Sequence, residues 1–180
     1  MNMILQRWSR AVLLPVRLII RGRRGQAMVE AALMMPVMLL LLLGVIEAGN
    51  GLSIKHKMAV LSREGANIAA RGTSLSETMN VVMAGGSEIE LSTKGGAVVT
   101  RIIVVDGDPV IDAQVGYNGY EAYSRLGMPD SISAPLQGLN LVEGQVFHAV
   151  EIIFDYEAMT PLAGIFPAGL TDKVYERAFF

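Results

Sequence analysis

The acidic residue Glu30 is the first chemically informative feature of the chain. It lies five residues after Gly25, at the edge of an apolar run over residues 31–46. A carboxylate inside a bilayer costs about 3 kcal/mol by insertion scales, so such a residue is functional by default and needs a partner. Glu30 is therefore predicted to pair with another group. The alternative is that Glu30 lies in the headgroup layer and is only solvated.

Three aspartates form a second group that could bind a ligand. Carboxylate oxygens of Asp106, Asp108 and Asp112 suit calcium, and Gly107 would allow a bend between them. The twelve-residue loop of an EF-hand would place its last ligand at Tyr117, which is not an acid. An ordinary hairpin turn is the favoured interpretation, with the calcium site as the weaker one.

Motifs for catalysis are missing from the sequence. The chain contains no cysteine, and its two histidines, His56 and His148, lack the short spacing of metal ligands. The glycine patterns of a hydrolase nucleophile, a phosphate loop and a dinucleotide site do not occur. We therefore predict that the protein is not an enzyme and that it requires no cofactor and no metal.

Apolar residues and charges are unevenly distributed along the chain. Hydrophobic residues make up 52% of the sequence, and their surplus in residues 31–46 indicates a membrane helix. The first 25 residues hold six arginines and no acid, whereas the remainder holds nine basic and 17 acidic residues. The positive-inside rule predicts a cytoplasmic N-terminus and an exported C-terminal part. The acidic exported part argues against nucleic acid as a partner.

Four segments follow from these patterns. Residues 1–25 are predicted to be a basic leader, and residues 26–47 a transmembrane helix. At 1.5 Å per residue, residues 26–46 form about 31 Å of helix, which matches the hydrocarbon core. Pro36 is expected to kink this helix, and Glu47 is expected to be hydrated at its end.

Residues 48–71 continue the helix outside the membrane, since apolar positions recur there at helical spacing. This apolar stripe is predicted to pack on the protein's own sheet, with contact to a partner helix as the alternative. The stretch Gly49-Asn50-Gly51 is a weak point where the helix could bend.

Residues 72–180 are predicted to form an α+β domain. Gly72 ends the long helix, and Ser74 with Glu77 forms a capping box for a short second helix that stops at Gly85. Strands are predicted over residues 97–105, 110–117, 146–156 and 172–180, with surface loops over 118–145 and 161–169. The fold class is thus α+β, with a long N-terminal helix packed on a small, mainly antiparallel sheet.

Three segments resemble the TadE-like pseudopilins of tight-adherence (Flp-type) pili. They are RGQAMVEAALMMP at residues 24–36, GVIEAG at 44–49 and SREGANIAA at 62–70, which is similar to the family's "REGAR.AA" helix with Asn67 in place of an arginine. Gly25 followed by Glu30 and an apolar helix also resembles the processing site of type IV prepilins.

The resemblance implies cleavage between Gly25 and Gln26 by a prepilin peptidase. Glu30 would then pair with the ammonium at Gln26 of a neighbouring subunit, with Pro36 and Glu47 as further assembly residues. The protein would be a minor pilin that helps to start or cap a Tad-type adhesion pilus. Its implied partners are the major pilin, companion minor pilins, the inner-membrane pilus platform and the lipid bilayer.

The implied location is the bacterial inner membrane, with the C-terminal domain periplasmic, and extracellular once it is assembled into a pilus. Many type IV pilins begin with an aromatic residue or methionine, whereas this mature chain would begin with Gln26, so N-terminal methylation stays open. Three alternatives also stay open. They are an ordinary secretory signal, an uncleaved single-pass component of the pilus machine, and a membrane-tethered extracytoplasmic binding domain.

Overall fold

A computed structural model describes residues 13–161 and 173–180, with side chains from Gly25 onward. Its first element is the helix α1, Leu13–Ala70, which continues without a break through Pro36 and through Gly49-Asn50-Gly51. Gly72 follows in the left-handed conformation at φ +94°, which suits the end of a helix. The predicted end at Gly72 is thus confirmed. The N-terminal part of the predicted leader and most of the loop 161–169 lie outside the described residues.

The chain divides into two compact units, with the division between Ile46 and Glu47. In the first unit, every residue from 25 to 42 is exposed. The second unit contains the rest of α1 and all further elements. Two short helices follow α1 there: α2, Leu75–Gly85, and α3, Leu91–Lys94. Ser74 caps α2 by accepting a hydrogen bond from the backbone amide of Glu77, as the capping-box pattern predicts.

Four antiparallel strands form the sheet of the second unit. They are β1 (Gly95–Val105), β2 (Asp108–Gly116), β3 (Val146–Asp155) and β4 (Lys173–Phe179). Their order across the sheet is β2-β1-β3-β4. The predicted α+β class, with a small antiparallel sheet after a long helix, is confirmed.

One face of the sheet packs against α1 and α2. The small residues Ser62, Gly65, Ala66 and Ala69 of α1 are buried, and their spacing places them on one side of the helix. A Cβ atom at Gly65 would lie 2.5 Å from Cγ2 of Val82 in α2 and 3.1 Å from Cγ2 of Val150 in β3. This seam of small side chains lets α1 approach both elements closely. The predicted packing of the helical stripe on the protein's own sheet is confirmed.

The opposite face of the sheet is covered by the loop between β2 and β3. Leu126 and Leu136 of this loop form a second core with Ile102, Ile111 and Ala149 from the strands. The predicted loop is therefore a packed layer rather than a free surface segment. Because β3 alternates, Ala149 joins this core, while its neighbours Val150 and Ile152 join the core under α1.

The hairpin between β1 and β2 turns through two residues, Asp106 and Gly107. Both have positive φ, +54° and +84°, which is the geometry of a type I′ turn. The backbone amides of both residues donate to the carboxylate of Glu143, at 3.2 and 3.1 Å. Farther along the hairpin lies a β-bulge. Arg101 pairs with Ala113 and Ile102 pairs with Ile111, so Asp112 is the extra residue.

Candidate processing and assembly site

Gly25, Gln26 and Glu30 lie on an exposed stretch of α1. The side-chain amide of Gln26 donates to Oε1 of Glu30 at 3.0 Å, one helical turn away. A Cβ atom added at Gly25 would meet no atom within 4 Å. The structure therefore places the three predicted residues on an accessible segment, with the Glu30 carboxylate facing the residue that would become the N-terminus.

The surface of α1 after Glu30 is apolar, and no other described part of the chain covers it. Met34, Met35 and Leu41 are each about 60% exposed or more, and the span is apolar enough to cross a membrane. Among the described residues, this is the one helix that meets that test. An exposed apolar surface of this size requires lipid or other helices around it. Pro36 lies within this surface and is itself exposed.

Glu47, the next carboxylate along α1, is buried, with 4% of its surface exposed. One of its oxygens accepts hydrogen bonds from the hydroxyl of Tyr156 and from the backbone amide of Met159, the latter at 3.2 Å. The other oxygen accepts the backbone amide of Thr160 at 2.9 Å. Three donors from the segment after β3 thus converge on one carboxylate. We call this group of residues the Glu47 clasp.

Tyr156 is the centre of the Glu47 clasp. Its hydroxyl also accepts a hydrogen bond from the side-chain amide of Asn50 at 3.3 Å, and a Cβ atom built at Gly51 would lie 3.8 Å from its ring. Burial raises the pKa of Tyr156, and the hydrogen bond to Glu47 raises it further. The phenol therefore stays neutral and can donate at physiological pH.

These contacts correct two expectations. The prediction that Glu47 is hydrated is wrong, because its carboxylate is enclosed by the segment after β3. The predicted weak point at Gly49-Asn50-Gly51 is regular helix, since the tyrosine ring and hydroxyl dock there. A role for Glu47 in subunit assembly stays a prediction.

The structure does not bring the three aspartates of the β1–β2 hairpin together as a group of metal ligands. Asp112 pairs with Arg101, from Nε at 2.5 Å. Asp106 occupies the turn, and Asp108 begins β2. Within the described residues, no three acidic or histidine side chains are placed to hold a metal ion. The structure thus gives the weaker calcium interpretation no support.

A second buried carboxylate, Glu151 on β3, was missed by the sequence reasoning. It has no exposed surface and accepts hydrogen bonds from the hydroxyls of Ser124 and Tyr175 and from the backbone amide of Arg125, at 2.8 Å. The guanidinium of Arg125 also lies 4.2 Å above the ring of Tyr175. Glu151 therefore holds the covering loop and β4 together. An acid at an inward position of an otherwise apolar strand was the available signal.

These features define a class of protein, in which one candidate membrane span is followed by an α+β unit. The chain combines one helix that is long and apolar enough to cross a membrane with an α+β unit of four antiparallel strands. Its one carboxylate between Gly25 and Ile46 is the accessible Glu30, and the next, Glu47, is satisfied within the second unit.

The TadE-like protein family matches residues 25–67. This match confirms the resemblance over the segment that contains Gly25, Glu30, Pro36 and Glu47. No curated protein matches the chain. No solved structure matches it either. The family match and the apolar helix together suggest a Tad-pilus-associated, single-pass membrane protein. The family that matches residues 25–67 is structural rather than enzymatic.

Proposed function

We propose that the protein is a minor pilin of a Tad-type adhesion pilus, which a prepilin peptidase cleaves between Gly25 and Gln26. The leader stays in the cytoplasm, and the α+β unit lies on the far side of the inner membrane. The mature subunit joins the major pilin and companion minor pilins at the start or tip of the fibre. The inner-membrane pilus platform and the bilayer are its other partners.

The observation that carries this proposal is the isolated carboxylate of Glu30 on an uncovered apolar helix. Residues 25–42 are all exposed, and among the residues whose side chains the structure describes, the amide of Gln26 is the one group that bonds to Glu30. A lone acid costs several kcal/mol once its helix is surrounded by hydrocarbon or by other apolar helices. A hydrogen-bond donor at the N-terminus of a neighbouring subunit offsets part of that cost and sets the axial register between the two helices.

The Glu47 clasp makes the outer part of α1 a part of the α+β unit. It attaches the segment after β3 to α1 at the first residue of the second unit. The small-residue seam holds α1 against β3 and α2 farther along. The outer part of α1 is therefore held in the α+β unit at both places, as the long helix of a pilin-like subunit would be.

The decisive experiment measures the N-terminal residue and intact mass of the protein from its native membrane. Wild type is expected to begin at Gln26, and the variant Gly25→Ala at Met1. Because a Cβ at Gly25 meets no atom, lost cleavage in this variant reports the peptidase rather than a damaged fold. Gly22→Ala is the matched control and should be cleaved normally.

Other outcomes identify the alternatives. An intact leader in wild type and in both variants would overturn the proposal and favour an uncleaved component of the pilus machine. A chain that begins near Gly49 would indicate an ordinary secretory signal. Cleavage of Gly25→Ala at the same position as wild type would show that the glycine does not define the site.

A further inference from the structure

We propose that the new N-terminus at Gln26 closes on its own side chain to form a pyroglutamyl ring, so that the mature subunit begins with an uncharged lactam. This inference rests on the cleavage proposed above. It concerns the chemical state of the residue that Glu30 is expected to contact. Gln26 is the residue that supports it, because an N-terminal glutamine carries both the nucleophile and the leaving group of this reaction.

The reaction needs no co-reactant. The α-amino nitrogen of Gln26 attacks its own Cδ, a new N–Cδ bond forms, and the Cδ–Nε2 bond breaks. The amine gives up one hydrogen, Nε2 gains one, and Nε2 leaves as ammonia. An α-amine has a pKa of about 7.7–8.0, so a minor fraction is nucleophilic at neutral pH. Closure of a five-membered ring is intramolecular, so the two reacting groups are always close to each other.

The structure leaves this side chain accessible for the reaction. Gln26 is exposed, and the one hydrogen bond that its carboxamide makes among the described residues is to Glu30, at 3.0 Å. A Cβ atom built at Gly25, the residue before it, would meet no atom within 4 Å. Among the described residues, the carboxamide is thus restrained by a single surface hydrogen bond between residues one helical turn apart, a type of contact that is weak.

The ring changes what a neighbouring Glu30 contacts. An ammonium would form an ion pair with the carboxylate, whereas the lactam offers one neutral N–H donor. A terminal charge is removed, as in other terminal modifications that cancel charge. The closed ring also leaves no free amine for methylation. The contact at Glu30 would then be a hydrogen bond whose strength depends little on salt.

The test uses the full chain purified from native membranes at neutral pH. The mature protein is expected to be lighter by one ammonia than a chain beginning with free Gln26, and to be blocked to stepwise N-terminal sequencing. Pyroglutamyl aminopeptidase should restore sequencing from Ala27. Gln26→Asn is the matched control, since its side chain is one methylene too short for the five-membered ring. It should begin with a free amine, as should Gln26→Met.

A synthetic peptide of residues 26–36, taken through the same purification, reports ring closure during handling. A peptide cyclised to the same extent as the protein would overturn the proposal. A wild-type chain that begins with free or methylated Gln26 would also overturn it, while leaving the cleavage intact. A chain that begins at Met1 would instead remove the proposed cleavage, and this inference with it.

Discussion

Removal of a single hydroxyl, by Tyr156→Phe, should release the segment after β3 from α1. The phenol donates to the buried carboxylate of Glu47 and accepts from Asn50. The variant keeps the ring beside Gly51, so it deletes the hydrogen bonds of the hydroxyl and creates no large cavity.

The magnitude follows from the charge of the acceptor. A hydrogen bond to a charged group contributes about 1.5–3 kcal/mol, and the contact to Asn50 is long enough to add little. We therefore expect Tyr156→Phe to lower the free energy of unfolding by about 2 kcal/mol. For a unit of this size the midpoint of thermal unfolding should fall by roughly 5–12 °C. Glu47→Gln should cost as much or more, because its amide NH2 would face the backbone donor of Met159 or Thr160.

Two measurements on the full chain in detergent check this prediction. Thermal unfolding followed by the near-ultraviolet circular dichroism of tyrosine gives the loss of stability. Hydrogen exchange gives a local signal, since the amides of Met159 and Thr160 are held by Glu47 and should lose protection in both variants. The double variant should lose less than the sum of the single losses, with a coupling of at least about 1 kcal/mol.

Tyr123→Phe is the matched control, because the ring of Tyr123 is 52% exposed. Its stability should stay within about 0.5 kcal/mol of wild type. The reasoning would be refuted if Tyr156→Phe behaved like this control and the two amides kept their protection. Additive losses in the double variant would show that Glu47 and Tyr156 stabilise the unit independently.

Three further predictions test the seam, the second buried carboxylate and the hairpin. Gly65→Ala should destabilise the unit by about 1–3 kcal/mol through overpacking. In the control Gly49→Ala the new Cβ meets nothing within 4 Å, so this variant should be neutral or stabilising by up to about 1 kcal/mol. Equal unfolding midpoints for the two variants would contradict the close packing of the seam. Burial raises the pKa of Tyr175, and the hydrogen bond to Glu151 raises it further. The neutral phenol therefore stabilises the folded unit fully below pH 10.0, and this stabilisation is lost as pH rises through the pKa of the folded state. Tyr175→Phe should therefore flatten the alkaline decline in stability, and an unchanged slope would contradict this cause. Asp112→Asn should lower the free energy of unfolding by less than about 1 kcal/mol, and calcium should leave the unfolding midpoint of wild type unchanged. A midpoint that rises with calcium would support a calcium site at the hairpin.

The elements with strong local signals could be predicted from the sequence. The capping box at Ser74 and Glu77 defines the start of α2, and Asp106-Gly107 defines a hairpin because both residues accept positive φ. The long helix follows from apolar spacing and from the glycine at its end. In each case the interaction that determines the structure is between residues close together in the sequence. A short sequence pattern is therefore enough to predict it.

The buried polar contacts could not be predicted in that way. Glu47 finds its three donors more than a hundred residues later, and Glu151 finds two of its donors in the loop between β2 and β3. An acid at the end of an apolar span has the same local sequence whether it faces water or a folded segment. Only the return of the chain after β3, which places Tyr156 and Thr160 over α1, distinguishes the two cases.

The extent of the family match follows from the same distinction. Residues 25–67 contain a lone acid, an apolar span, the acid of the Glu47 clasp and most of a seam in which small side chains are required. Each of these demands a particular residue type at a particular spacing. The strands demand only alternation between two apolar faces, which many sequences satisfy. The family match can therefore include the helix and leave out the sheet that packs on it. Tyr156, the partner of Glu47, lies outside the matched residues.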